Sequence, residues 1–159
     1  MGIANLVSPI LILILLFFPM VEQGYPGDDQ INRGPADPAI QEFLRLVNAK
    51  RRSVGCPKLE WDSQVARVAL THCADMVSRN FFDHTNPDGK DPFGRLHDSN
   101  VVFSAAAENI ALGVKTGRQA FETWHNSSDH RRNMLDCRFI RHGVAYVEGR
   151  WTHILVRPK

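Results

Sequence analysis

The chain has few cysteines, little excess charge of either sign and no repetitive tracts, and each shortage removes a class of protein. Three cysteines allow one bridge and leave one over, so a scaffold knitted by several disulfides is excluded. The 19 Lys and Arg stand against 17 Asp and Glu, a formal net charge of +2. No basic stripe with interleaved aromatics appears, so the chain makes no case for a nucleic-acid partner. The short basic clusters, Arg51 with Arg52 and His130 with Arg131 and Arg132, read as solvated surface. There are no internal repeats, heptads or collagen-like periods. What remains is an ordinary balance, 43% apolar and 23% charged, at a length that suits one globular domain.

One long apolar run is present, and it is N-terminal. "LVSPILILILLFFPM", residues 6–20, is shorter than the roughly 20 residues of a membrane span. It fits the hydrophobic core of a secretory leader. No Lys or Arg precedes it and no Ala-x-Ala site follows, so cleavage is placed only approximately, at residues 21–25. The expected organisation is a signal peptide over 1–24, a Gly/Pro/Asp-rich flexible lead-in over 25–38 and a folded domain over 39–159. An uncleaved leader would instead anchor the domain to a membrane. Both readings put the domain outside the cytosol, where cysteines oxidise. Cys73 lies among apolar helical neighbours and reads as a small buried hydrophobe. Cys56 in "SVGCPK" and Cys137 in "MLDCRF" lie in loop-like contexts and are the expected pair. Their bridge would close a loop of about 80 residues, worth up to ~4 kcal/mol of unfolded-state entropy.

Local signals define most elements. Asp37 and Pro38 open a first helix, with Ile40, Phe43, Leu44 and Val47 on one face and the basic run at 50–52 near its end. Asp62 caps a second, whose inner face carries Val65, Ala69, His72, Cys73 and Met76. "FFDHTNPDGKDPFGRL" is a long loop with one helical turn near residues 93–96, and "NVVFSAA" predicts a short strand. Thr116 and Gln119 form a capping box for a third helix that buries Ala120, Phe121 and Trp124, and "HRRNML" adds a turn. "GVAYV" and "WTHILV" close the chain as a β-hairpin. Helices first and paired strands last make the class α+β, with helices covering an antiparallel sheet.

"AAAENIALG" holds one carboxylate, Glu108, in a run that reads as buried. A buried charge needs a partner or a function. Of seven histidines, His72, His97, His125, His142 and His153 have surface, helix or strand contexts that read as structural or solvated. His84 in "FFDHTNPDG" and His130 in "WHNSSDHRRN" sit at turns and are the candidates. His125 and His130 match a loose zinc spacing, but no cysteine pair accompanies them. "NSS" at 126–128 is a glycosylation sequon beside the cleft residues.

The segments "FFDHTNPDGKDPFGRL", "AENIALG", "WHNSSDHRRNML" and "HGVAYVEGRWTHILV" stand in the order and spacing of the CAP superfamily, which includes cysteine-rich secretory proteins, antigen 5 and plant pathogenesis-related proteins. The chain resembles the compact secreted branch of that superfamily over roughly residues 40–157. The resemblance implies a three-layer α-β-α sandwich with a central, mainly antiparallel sheet. It also implies a cleft lined by two His and two acidic residues. Carried over by motif, these are His84, Glu108 and His130. The second acidic position falls on Ser127, and Asp129 replaces a common glycine. Two neutral imidazoles and a carboxylate would make a three-ligand site for a divalent cation such as zinc, with an open water position. Two functions then compete. One is a secreted, monomeric, non-enzymatic binding module for a sterol, a fatty acid, or a cell-wall or host-surface partner. The other is a secreted hydrolase, metal-assisted or using Ser127 with His130, although Ser127 lacks a G-x-S-x-G elbow. A third role, compatible with the first, has His84, Glu108 and His130 pinning the long loop to helix three.

Overall fold

A computed structural model describes residues 34–159. The signal-peptide expectation and most of the lead-in lie outside those residues. Gly34–Ala36 forms a short 3-10 turn that leads directly into the first helix. No described helix is long and apolar enough to cross a membrane.

Among the described residues, five α-helices enclose a four-stranded sheet. They are α1 (Pro38–Ser53), α2 (Ser63–Ser78), α3 (Pro92–Asp98), α4 (Gly117–Asn126) and α5 (Ser128–Leu135). The strands are β1 (Glu60–Trp61), β2 (Ala105–Leu112), β3 (Arg141–Val147) and β4 (Arg150–Arg157), in the spatial order β1-β3-β4-β2. The β2/β4 and β3/β4 pairs are antiparallel and β1 runs parallel to β3, so the expected α+β sandwich with a mainly antiparallel sheet is present.

The helix starts are set by local capping. Asp37 accepts from the amides of Ala39 and Ile40, and Asp62 from those of Gln64 and Val65. Thr116 and Gln119 close a reciprocal capping box at α4. The β3/β4 turn is Glu148 and Gly149, both at positive φ, as a tight hairpin turn requires.

Alternation along the strands gives the sheet two apolar faces and hence two cores. On one face Phe43 of α1 meets Trp124 of α4 and Trp151 of β4, all fully buried. Each buried indole finds an acceptor: Trp124 Nε1 donates to Ile110 O and Trp151 Nε1 to Val114 O, both at 3.0 Å. On the other face α2 packs Val65, Ala69, Cys73 and Met76 against Ile154, Ala145 and Val147. A Cβ on Gly143 would come 2.1 Å from the Ala66 amide nitrogen, so β3 reaches α2 only because this position has no side chain.

Two expectations are corrected here. The strand assigned to "NVVFSAA" begins at Ala105 and runs through the Ala-rich "AAAENIAL" instead. Alanine has little intrinsic strand preference, but the β4 ladder pairs every residue from 105 to 112, so the tertiary partner decides. Arg51, read as solvated, is fully buried, whereas Arg52 is exposed. Arg51 Nε donates to Pro57 O, Nη1 to Met134 O and Asp136 O, and Nη2 to Phe139 O. One guanidinium thus ties α1 to the two loops that the Cys56–Cys137 disulfide joins. Cys73 is the free, buried cysteine, and burial pushes its thiol up to about 12.

Candidate functional site

The site lies along the outer edge of the sheet, where β2 has no further strand beside it. Neighbouring residues of a strand point to opposite faces, so Glu108 and Asn109 reach around that edge from both sides. Glu108 meets α3 and the loop after α2, and Asn109 meets α5. Asn109 Nδ2 donates to His130 O at 3.0 Å, and its Oδ1 accepts from Asn133 Nδ2 at 2.9 Å. Asn109 therefore docks the helix that carries His130.

The Glu108 side chain is 1% exposed and both its oxygens are engaged. Oε2 accepts from Arg95 Nη2 and Oε1 from His84 Nδ1, each at 2.8 Å. A carboxylate can only accept, so the His84 proton sits on Nδ1. That hydrogen bond, opposed by partial burial, raises the His84 pKa. His84 itself is about half exposed and opens to solvent. Its loop is held from below: Arg95 Nη1 donates to His84 O and Lys90 O, His72 Nε2 donates to Asp83 O, and Thr85 N donates to Asp83 Oδ1. Arg95 thus fixes both the carboxylate and the backbone of the imidazole that the carboxylate orients.

His130 is half-buried on α5, and its Nδ1 is buried without a hydrogen-bond partner. Burial lowers its pKa, and the nearby His84 lowers it further. The two histidines are therefore poised in opposite directions, His84 toward the imidazolium and His130 toward neutral imidazole.

The remaining sequence candidates divide. Ser127 sits at the α4/α5 junction, where its carbonyl accepts from Arg131 N and its side chain makes no cap hydrogen bond. No hydrogen bond joins it to His130 among the described residues. Asp129 is 79% exposed and pairs with Arg132 at 3.1 Å, so it does not turn into the cleft to serve as a second carboxylate. The expected ligand set of His84, Glu108 and His130 is not arranged as a metal site: no group of three or more His, Cys, Asp or Glu able to hold a metal ion occurs among the described residues. The reason is electrostatic. The carboxylate that would ligate a cation already has the buried Arg95 guanidinium as its counter-ion. A divalent cation does not fit this donor set.

Sequence reasoning missed Arg95, which is 8% exposed. The signal was indirect: a buried glutamate required a cation, but nothing in the linear order singled out this one. It also missed the buried imidazole pair His142 and His153, whose Nδ1 and Nε2 are 3.0 Å apart. Inward strand periodicity marks both positions, since His142 shares a face with Val144, and His153 with Trp151 and Leu155.

A family model for the cysteine-rich secretory protein family (CAP) matches residues 44–155. The uncharacterized protein YkwD of Bacillus subtilis (strain 168) is 35% identical over 108 residues, which are 68% of this chain and 42% of that protein. The uncharacterized membrane protein YlbC of the same organism is 34% identical over 117 residues, 74% of this chain and 34% of its own length. The chain therefore spans less than half of either relative. Among solved structures, an extracellular protein containing an SCP domain from Bacillus anthracis superposes with a TM-score of 0.71 at 36% identity, over 74% of this chain and 39% of that one. An outer surface protein of Borrelia burgdorferi gives the same TM-score at 17% identity, over 76% and 93%, a likeness of fold alone.

Proposed function

The chain belongs to the cysteine-rich secretory protein family, and from that premise we propose that it is a secreted, non-enzymatic binding module whose cleft between His84 and His130 takes a small ligand. The observation that carries this reading is the state of Glu108. Its two oxygens are held by Arg95 and His84, so the Glu108 carboxylate is not free to act as a general base. Ser127 has no hydrogen bond to an imidazole, so the nucleophile and base of a hydrolase are not paired. What the cleft offers is recognition: an exposed imidazole whose pKa is raised on one rim, one whose pKa is lowered on the other, and a buried ion pair that keeps the first in place. A hydrogen-bonding head group on an apolar body, such as a sterol or a fatty acid, suits such a rim.

Secretion is supported by the apolar run at residues 6–20 and by the Bacillus anthracis neighbour, described as an extracellular protein. Intact-mass analysis of the exported protein should find a new N-terminus near residue 25.

Binding is tested by extracting lipid from the purified protein and by titrating it with oleate and cholesterol. Saturable binding to the wild type, lost in His84→Ala and accompanied by no turnover of generic esters or peptides, is the expected result. Ester or peptide hydrolysis by the wild type that disappears in Ser127→Ala would replace this reading with the hydrolase.

A further inference from the structure

The opposite edge of the sheet carries a second concavity with no part in the His84 cleft. It is an open groove of about 600 Å³ between α1 and β1. Three cations stand around it, Arg45 and Arg52 from α1 and Lys58 from the loop that follows, against the single carboxylate of Glu60. All three are exposed, and none has an ion-pair or hydrogen-bond partner among the described residues. Isolated basic side chains are usually solvated surface, but the floor of this groove is not generic.

His142 lines that floor and is 1% exposed. Its Nδ1 is bonded to His153 Nε2, while His153 Nδ1 is buried with no partner. The shared proton can sit on either ring. If His142 donated, His153 would carry its own proton on Nδ1, an orphaned buried donor. Either placement leaves one N–H without a protein acceptor: His153 Nδ1 is sealed in the core, whereas His142 lines the groove, where its N–H can meet an acceptor, and an enclosed N–H is the costlier orphan. The proton therefore lies on His153 Nε2 and points at His142 Nδ1. His142 must then carry its proton on Nε2, for which no hydrogen bond occurs among the described residues. A nine-tenths-buried N–H donor thus lines a groove rimmed by three unpaired cations. Leu59 and the half-buried indole of Trp61 supply a flat apolar wall. Asn48 does not compete for a ligand, because both ends of its amide are bonded to the Leu59 backbone.

We infer that the α1/β1 groove is a second binding site, for a phosphate monoester carried on a flat ring. The dianion would lie among Arg45, Arg52 and Lys58 and accept from His142 Nε2, and the ring would lie against Trp61. Several charge-assisted donors converging on one oxyanion favour a dianion over a carboxylate, and the apolar wall favours a ring over a bare ion.

Trp61 makes the test selective. Of the three tryptophans, Trp124 and Trp151 are fully buried, so ligand-dependent tryptophan emission reports on Trp61. Titration with phenyl phosphate should give a saturable change in emission. Phenol, which lacks the charge, and inorganic phosphate, which lacks the ring, should bind at least about tenfold more weakly. Arg52→Ala and Lys58→Ala remove exposed, unpaired side chains, so the fold is retained. Each should weaken phenyl phosphate by roughly tenfold. His84→Ala should leave the titration unchanged, which separates this site from the cleft at the other edge. The inference is overturned by an unresponsive emission, by phenol or phosphate binding as well as phenyl phosphate, or by affinity that ignores Arg52 and Lys58 but follows His84.

Discussion

His142 and His153 form one histidine pair and His84 and His130 another, and the two are built on opposite terms. The first pair lies in the core on the α1 face of the sheet, the two rings edge to face. Burial takes His142 down to about 3 and His153 well below its ordinary value, with the charge of Arg51 adding to both. The second pair lies at the β2 edge, where the hydrogen bond to Glu108 raises His84 and burial with the His84 charge lowers His130. Each pair has a fully or largely buried arginine close by, but only Arg95 is bonded to a carboxylate. That carboxylate is the difference. It turns an arginine from a source of repulsion into the anchor of an anion that the next imidazole can use. The same side chain thus has its pKa lowered throughout the scaffold pair, while in the edge pair the carboxylate raises one member, His84.

The sharpest test of this contrast is pH, because the pairs carry opposite linkage signs. The buried histidines have folded pKa values below the unfolded value near 6.5. Below that pH the unfolded chain takes up protons that the native state refuses, so stability falls as acid is added. Well below pH 6.5 two such groups remove about 2.7 kcal/mol per pH unit, and about 3 kcal/mol between pH 6.5 and pH 5. His84 works the other way: its raised pKa contributes stability that is present below 6.5 and lost as pH rises through the folded value. It is half exposed, so its contribution is screened and the buried pair dominates. Urea midpoints measured from pH 8 to pH 5 should fall steadily on the acid side. A flat profile would mean that the interior pair accepts protons in the folded state.

The next largest effect is expected at Arg95. Arg95→Met removes the guanidinium and leaves the Glu108 carboxylate buried with only His84 beside it, a loss of about 3 kcal/mol. It also frees the His84 and Lys90 carbonyls, so the loop should exchange amide hydrogens faster than α2. Denaturant unfolding and hydrogen exchange read both. If Arg95 were only a surface cation, neither would change. Glu108→Gln is gentler in volume and leaves Arg95 buried opposite a neutral amide, at about 2 kcal/mol. Its distinguishing readout is the His84 titration followed by NMR, which should move down toward the ordinary histidine value once the carboxylate is gone.

What could be read from the chain follows the range of the interactions. Asp37, Asp62 and the Thr116/Gln119 box act within one helical turn, and all three mark true helix starts. Cys56 and Cys137 were separable from Cys73 because their immediate contexts differ. By contrast, Arg51 satisfies carbonyls more than 80 residues away, and β1 is two residues whose only strand partner is the distant β3. No local pattern encodes either. The Glu108 problem was legible as a demand, a carboxylate in an apolar run. Its answer was not, because 19 Lys and Arg were available and only the approach of α3 to β2 selects one.

The smallest expected effect tests the edge pair most directly. His84→Ala deletes a half-exposed imidazole while Arg95 continues to neutralise Glu108, so stability should fall by less than about 1 kcal/mol. The informative quantity is then His130. Two causes lower its pKa, burial first and the charge of His84 second. Removing His84 leaves the first and deletes the second, so His130 should titrate higher than in the wild type while remaining below the ordinary histidine value. NMR of the His130 ring across pH 4 to 8 separates the contributions. An unmoved His130 would show that the imidazoles do not sense each other and that the cleft has one working rim. A rise would establish that the edge pair is coupled: protonation of His84 holds His130 neutral, so a ligand that engages either ring changes the charge state of the other.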